Sequence, residues 1–215
     1  MSIIVFGATG GTGRATMAAL AARGHQVTAF ARDPSTLAGH AAMRIVRGDV
    51  MRADEVLAAM PGHDAAIVSL GNAQNPFARL LGARRTTPAD ICTVGTRHIV
   101  DAMTQAGIAR LIVVSAFGIG NQGSLPLAFK LFYRTVLREQ MADKETQEAL
   151  VKTSGLDWTI VQPVGLTDAP ATGIWLADPA GRMRKQQIAR ADVASFLVTL
   201  IEGPAHRRET VALSG

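Results

Sequence analysis

The stretch Ile3-Ile4-Val5-Phe6-Gly7-Ala8-Thr9-Gly10-Gly11-Thr12-Gly13 decides how this chain is read. Four apolar residues form a buried strand, and seven residues without bulky side chains then carry it into a helix. Gly7 permits the tight exit from the strand, Gly10 lets the backbone approach a phosphate, and Gly13 lets the helix lie close on the sheet. The first-turn N–H groups and the helix dipole then face an anion, the arrangement that holds a dinucleotide diphosphate. A helix of small residues, Ala15 to Ala22, follows at once, and a second strand, Gln26 to Ala31, completes the context this motif requires. Gly7, Thr9, Gly10, Gly11, Thr12, Gly13 and Arg14 are therefore expected cofactor-binding residues.

Further along the chain, apolar runs recur at Met43 to Arg47, Ala65 to Leu70, Arg110 to Ser115 and Asp157 to Gln162, with a short one at Thr210 to Leu213. Helical stretches separate them, and this alternation marks a parallel sheet covered by helices on both faces. The expected fold is α/β: one doubly wound, mostly parallel Rossmann domain over 1–215 with a small C-terminal substrate region. Helices are expected to begin near Asp54, Asp90, Leu125 to Phe129 and Asp192, the three aspartates serving as N-caps. Two segments carrying prolines and glycines, Asn72 to Ala89 and Thr167 to Gln187, interrupt the pattern. The segments 72–89, 116–130 and 164–187 are expected to build the substrate pocket, with Phe77, Phe117, Phe129, Phe132 and Trp175 as wall or core residues.

Composition narrows the class. Of 215 residues, 48% are hydrophobic and 18% charged, and no apolar run approaches the ~20 residues of a membrane helix. The first strand begins too early for a signal segment to precede it, so a cytoplasmic address and no membrane partner are expected. Cys92 is the lone cysteine, which excludes an intrachain disulfide, and five scattered histidines suggest no metal site. The net charge of +5 comes from arginines spread along the chain rather than gathered in a stripe, so no nucleic-acid partner is expected. Oligomeric state, monomer or dimer, is not written in the sequence.

Cofactor choice is read at the end of the second strand, where an acid holds a ribose 2′-hydroxyl and a base holds a 2′-phosphate. Arg32 stands there, nineteen residues after Gly13, and Ala31 leaves the preceding position without an acid. A guanidinium offers a fork to phosphate, Ser35 a hydroxyl and Arg14 a second cation, so NADP(H) is favoured over NAD(H). Asp33 reads either as a ribose acid or, before Pro34, as an Asx turn.

These motifs resemble the atypical short-chain dehydrogenase/reductase superfamily, in particular its small members related to biliverdin IX-beta reductase (also a flavin reductase) and to NmrA-like proteins. The likeness rests on residues 7–13, Arg32-Asp33-Pro34, Gly48-Asp49-Val50, Ser69-Leu70-Gly71, Ser115, and Gly155-Leu156-Asp157-Trp158-Thr159 leading to Gln162-Pro163. It implies that Asp49 and Val50 recognise adenine, although Asp49 also reads as a loop cap. It further implies that Leu70 and Gly71 pass the adenosine ribose or a phosphate, and that Pro163 and Val164 approach the nicotinamide through backbone. Ser115 is the candidate to orient a carboxamide or substrate oxygen.

The superfamily's Tyr-x-x-x-Lys pair is missing. Tyr133, the only tyrosine, is followed four residues on by Leu137, and Lys144 is preceded by Gln140. Lys144 aligns with the ribose-binding lysine or is a solvated residue paired with Gln140, Glu145 or Glu148. An amide cannot donate a catalytic proton, so the expected chemistry shifts from simple carbonyls to acceptors that delocalise the incoming charge: a flavin, a quinone or a tetrapyrrole. The expected function is thus NADPH-dependent reduction of a conjugated small molecule. An NADP-binding sensor without turnover and a sugar-nucleotide epimerase or dehydratase are the alternatives.

Overall fold

In the computed structural model, residues 1–37, 43–71, 87–120 and 138–215 are described. An eight-stranded sheet has the order β3-β2-β1-β4-β5-β6-β10-β8. Its strands are β1 (Ser2–Phe6), β2 (Gln26–Ala31), β3 (Arg44–Arg47), β4 (Ala65–Val68), β5 (Arg110–Val114), β6 (Asp157–Pro163), β8 (Leu176–Asp178) and β10 (Glu209–Ser214). All neighbours are parallel except β8, which runs antiparallel to β10. Two three-residue strands, β7 (Gly165–Thr167) and β9 (Gln187–Ala189), form a separate parallel pair. Strand order reverses between β1 and β4, the switch point at which such sheets open a crevice beyond their carboxyl ends.

Both faces are covered because successive residues of the central strands are apolar over most of their length. Along β1, Ile3 and Val5 pack into one core with Met17 and Leu20 of α1 (Gly11–Ala22) and Val193 and Leu197 of α5 (Arg190–Glu202). Ile4 and Phe6 pack into the other, with Val56 of α2 (Ala53–Ala59), Ile99 and Met103 of α3 (Ile91–Ala106) and Val151 of α4 (Arg138–Thr153). A period of two along each strand thus feeds two cores, which is why these strands read as unbroken apolar runs. No helix among the described residues is long and apolar enough to cross a membrane.

The expected strands stand where the sequence put them, within one or two residues at the ends. The small strands β7 and β8 lie inside the segment 164–187 expected to build the pocket, and β9 begins at its last residue. The three aspartate caps require correction. Asp90 occupies the N-cap position of α3 without a side-chain capping bond, because Asp143 of α4 takes that part: its carboxylate accepts from the N–H groups of Cys92 and Thr93, both at 2.9 Å. Asp54 lies in the first turn of α2, after an N-cap at Arg52. Asp192 lies in the first turn of α5, and its carboxylate instead accepts from the N–H groups of Thr172 and Gly173 and from the Thr172 hydroxyl. In two of the three, the first-turn carboxylate or its substitute serves a tertiary contact that local sequence cannot reveal. The helix expected near Leu125 to Phe129 lies outside the described residues.

Candidate functional site

Two glycines of the first loop are held by contact rather than by choice. Gly7 has φ +80°, and a Cβ there would stand 2.3 Å from the Ser69 carbonyl oxygen of the neighbouring strand end. A Cβ on Gly13 would stand 2.2 Å from the Gly7 carbonyl oxygen, so the helix cannot approach the strand this closely with any side chain. Gly10 differs: its nearest neighbour would be 3.4 Å away, which leaves the space beyond it open to a ligand. The Gly10 N–H donates to Gly7 and the Arg14 N–H to Gly10. The N–H groups of Gly11, Thr12 and Gly13 between them have no backbone acceptor among the described residues. Three aimed donors at a helix start suit an anion.

A cleft of about 160 Å³ opens beside this loop, lined by Gly7, Thr9, Gly10, Ala31, Arg32, Val50, Leu70 and Gly71 among others. A second groove of about 440 Å³ is lined by Arg32, Arg47, Gly48, Asp49 and Glu55, with Arg32 and Gly48 common to both. Gly48 lets the Phe30 ring lie across its Cα, since a Cβ there would stand 2.4 Å from that ring. Ala31 pairs with Arg47 across β2 and β3, so Arg47 comes beside Arg32 at the mouth of the groove. Sequence reading missed Arg47, because strand register is not visible in a motif.

The remaining expected residues are placed as follows. Arg14 Nη1 donates to the Thr9 carbonyl at 2.7 Å, bracing the loop. The Ser35 hydroxyl and N–H both donate to Asp33, which forms the Asx turn; these bonds hold the Asp33 carboxyl below its ordinary range. Asp49 accepts from the Met51 N–H and so caps its own loop, while Val50 is buried and faces the cleft. Pro163 and Val164 are committed to the protein: the Pro163 carbonyl accepts from Phe117 and the Val164 N–H donates to Leu213. Phe117 is buried in the core and Trp175 packs edge-on against Phe196. Phe77, Phe129, Phe132 and Tyr133 lie outside the described residues.

Ser115 and Lys144 meet at the carboxyl ends of the central strands. Lys144 Nζ donates to the carbonyls of Leu70 and Val114, 3.2 Å each, and so bridges the ends of β4 and β5. That is the inward of the two placements open to it, not the solvated one. The Ser115 hydroxyl, directly after β5, is buried without a hydrogen-bond partner. Three other buried side-chain atoms among the described residues share that condition, on Arg110, Gln147 and Trp158, but Ser115 is the one that follows a strand at its carboxyl end. An unpaired buried hydroxyl costs about 1–3 kcal/mol, a cost that a ligand oxygen or amide would remove.

Helix α4 buries only Gln147, Glu148 and Val151, and its contacts explain how it presents Lys144. Besides the Asp143 cap, Gln147 Nε2 donates to Thr96 at 2.7 Å, and Glu148, almost fully buried, accepts from Gln162 at 2.8 Å. Gln140 and Lys144, one turn apart on α4, share a face. Beneath Lys144 the Cys92 thiol is pushed up to about 12, chiefly by burial, with Asp143 adding and Lys144 opposing. The stability gained from keeping this thiol neutral is complete below the unfolded thiol's pKa near ~8.5 and is lost as pH rises toward 12. Iodoacetamide at pH 8 should therefore label the native protein at least about a hundredfold more slowly than the urea-unfolded chain. Comparable rates would show that Cys92 is accessible and ionised.

These features define an α/β protein whose glycine loop, cleft and polar cluster lie along the carboxyl ends of its central strands. Residues 7–204 match the NAD(P)H-binding family model, and the chain belongs to that family. It is 30% identical over 206 residues to an uncharacterized chloroplastic protein of Arabidopsis thaliana, covering 91% of this chain and 70% of that one. An uncharacterized sugar epimerase of Bacillus subtilis is 31% identical over 149 residues, 69% of this chain and 62% of its own length. Among solved structures, the anaerobillin reductase ChuY from Escherichia coli O157:H7 superposes with a TM-score of 0.76 at 27% identity, covering 100% of this chain and 97% of that one. A short-chain dehydrogenase/reductase from Veillonella parvula in complex with NADP has a TM-score of 0.81 at 17% identity, covering 100% and 94%, a likeness of fold.

Proposed function

We propose that the protein is an NADPH-dependent reductase that passes hydride to a conjugated acceptor, a flavin, a quinone or a biliverdin-like tetrapyrrole. The observation that carries this reading is the pair of helical neighbours Gln140 and Lys144, with Lys144 reaching the ends of β4 and β5 beside the unpaired Ser115 hydroxyl. The loop N–H groups and the glycine cradle fit a dinucleotide diphosphate, and the cleft beside Val50 and Leu70 fits its adenosine. A reduced nicotinamide, when bound, supplies the hydride. Lys144 would hold its ribose, and Ser115 would donate to its carboxamide or to an acceptor oxygen. Gln140 has no proton to give near neutral pH, so this chain suits an acceptor that spreads the arriving charge over a conjugated system and takes its proton from water. The family's NAD(P)H binding and the likeness to an anaerobillin reductase support the same class.

Preference for NADP(H) is part of the proposal and rests on Arg32 and Arg47. Both line the outer groove, where Arg47 also lies within electrostatic reach of the Asp33 carboxylate. A charge-assisted bond to phosphate contributes about 1.5–3 kcal/mol, so Arg32→Ala should weaken NADP(H) binding by about tenfold to a hundredfold and leave NAD(H) within about twofold. Arg47→Ala should give a smaller loss of the same sign. Equal losses for both cofactors would assign Arg32 a structural role.

An NADPH-oxidation assay against flavins, quinones and biliverdin tests the activity. Turnover with any of them supports the reductase. Tight NADPH binding with no turnover across the panel favours the sensor that the missing phenol also suits. Turnover of a sugar nucleotide without net NADPH consumption would instead favour the epimerase class of the Bacillus relative.

A further inference from the structure

We infer that Arg190 is a ligand for the dinucleotide's diphosphate and that Asp168 competes with the diphosphate for its guanidinium; the inference rests on the cofactor reading above. Arg190 opens α5, nearly the whole chain away from the glycine loop, yet its side chain lies on Gly11. A Cβ at Gly11 would stand 2.9 Å from both Cδ and Nε of Arg190. Gly11 is the first residue of α1 and one of the three with an open N–H group, so the guanidinium stem runs beside the anion-binding turn itself.

The pairing of β7 with β9 builds this placement. Their parallel register ends on Thr167 opposite Ala189, and the residues that follow the two strands are Asp168 and Arg190. Arg190 Nη1 donates to Asp168 Oδ1 at 2.7 Å. The far end of the loop after β7 is tied back by Asp192, which accepts from Thr172 and Gly173. A four-residue connection pinned at both ends therefore holds the Asp168 carboxylate on the guanidinium.

The electrostatics of that pair point to a ligand. A cation beside the start of a helix meets the positive end of the dipole and is disfavoured there. Its counter-ion, Asp168, is 87% exposed, and an exposed ion pair compensates weakly. A diphosphate carries two charges, accepts from the open N–H groups and suits the fork of an arginine, so it satisfies both the helix start and Arg190 together. Asp168 lies close enough to oppose that anion and to hold its ligand away. Cofactor binding then releases Asp168, and with it the loop that follows β7, from the phosphate edge.

Calorimetric titration with NADP⁺ and with adenosine 2′-monophosphate, which carries the adenosine and 2′-phosphate without the diphosphate, tests the assignment. Arg190→Ala should weaken NADP⁺ by about tenfold or more and leave the monophosphate within about twofold, with Arg190→Lys between. Asp168→Asn should tighten NADP⁺ by about two- to fivefold, more at low salt than at high. A purely structural ion pair predicts the opposite sign for Asp168→Asn, and that result overturns the proposal even where Arg190→Ala fails to fold. Equal loss of both ligands in Arg190→Ala, or no loss of either, also overturns it. Wild-type protein that binds neither NADP⁺ nor NAD⁺ would overturn the cofactor reading itself, whereas wild-type binding matched by Arg190→Ala overturns this inference alone.

Discussion

Replacing Gly13 by alanine is expected to lower the melting temperature by on the order of 10 °C and to abolish dinucleotide binding with it. The added methyl group would stand 2.2 Å from the Gly7 carbonyl oxygen, 2.9 Å from its carbon and 3.0 Å from the Ala8 Cα, all backbone. None of these atoms can swing aside. The Gly7 carbonyl accepts the turn's own hydrogen bond from Gly10, and Gly7 is itself wedged against the Ser69 carbonyl at φ +80°. Relief would require α1 to leave the sheet, which would uncover Met17 and Leu20, both fully buried. A clash of this kind belongs with the larger single-residue effects, about 4 kcal/mol, and a domain of this size loses about 2–4 °C per kcal/mol. Gly10→Val separates binding from folding. Its Cβ has 3.4 Å to the nearest atom at an ordinary φ of −72°, so the melting temperature should fall by no more than about 4 °C, the effect of a poor N-cap. The branched side chain would nonetheless fill the phosphate's path, and NADPH should no longer raise the melting point. Full NADPH stabilisation of Gly10→Val, or wild-type melting of Gly13→Ala, would show that the loop does not hold a diphosphate.

The glycine loop, the strands and the alternation of layers were legible because each is a local statement. Residues 3–13 carry their own turn chemistry, and Val27–Ala31 is largely apolar because both of its faces are buried. The parts of the candidate site that stayed hidden depend on which distant residues meet. Arg47 stands beside Arg32 only through the register of β2 with β3, and Arg190 reaches Gly11 only because α5 packs along α1. Strands of three residues, such as β7 and β9, are too short to show a period, yet they bring Asp168 to Arg190. The aspartate caps failed for a related reason: a carboxylate before a helix is a sound local signal, but Asp143 already satisfies the start of α3 from another helix. Lys144 lay between these cases. Its position four residues after Gln140 was visible, while the carbonyls it spans belong to Leu70 and Val114, 74 and 30 residues away.

That span makes Lys144 the residue whose loss should most reduce turnover. Lys144→Ala is expected to lower kcat/KM for NADPH-dependent reduction by about a hundredfold, because a ribose held off its position by an ångström forfeits much of the gain from orientation. The melting temperature should move little, since Leu70 and Val114 lie at strand ends and the Asp143, Gln147 and Glu148 contacts still fix α4. Gln140→Ala, one turn earlier on the same face, should change kcat/KM by less than about threefold, because its amide supplies neither a proton nor a charge near neutral pH. The pH–rate profile with a conjugated acceptor should accordingly show no essential enzyme group titrating in the range of a phenol near ~10, and proton delivery should follow solvent and substrate. Measuring the two variants and the profile on one acceptor distinguishes this site from an ordinary carbonyl reductase. Rapid reduction of simple aliphatic ketones that is lost in Gln140→Ala would mean that position 140 does provide an acid function. In that case the assignment of the acceptor class would fall, while the diphosphate loop tested by Gly10→Val would stand.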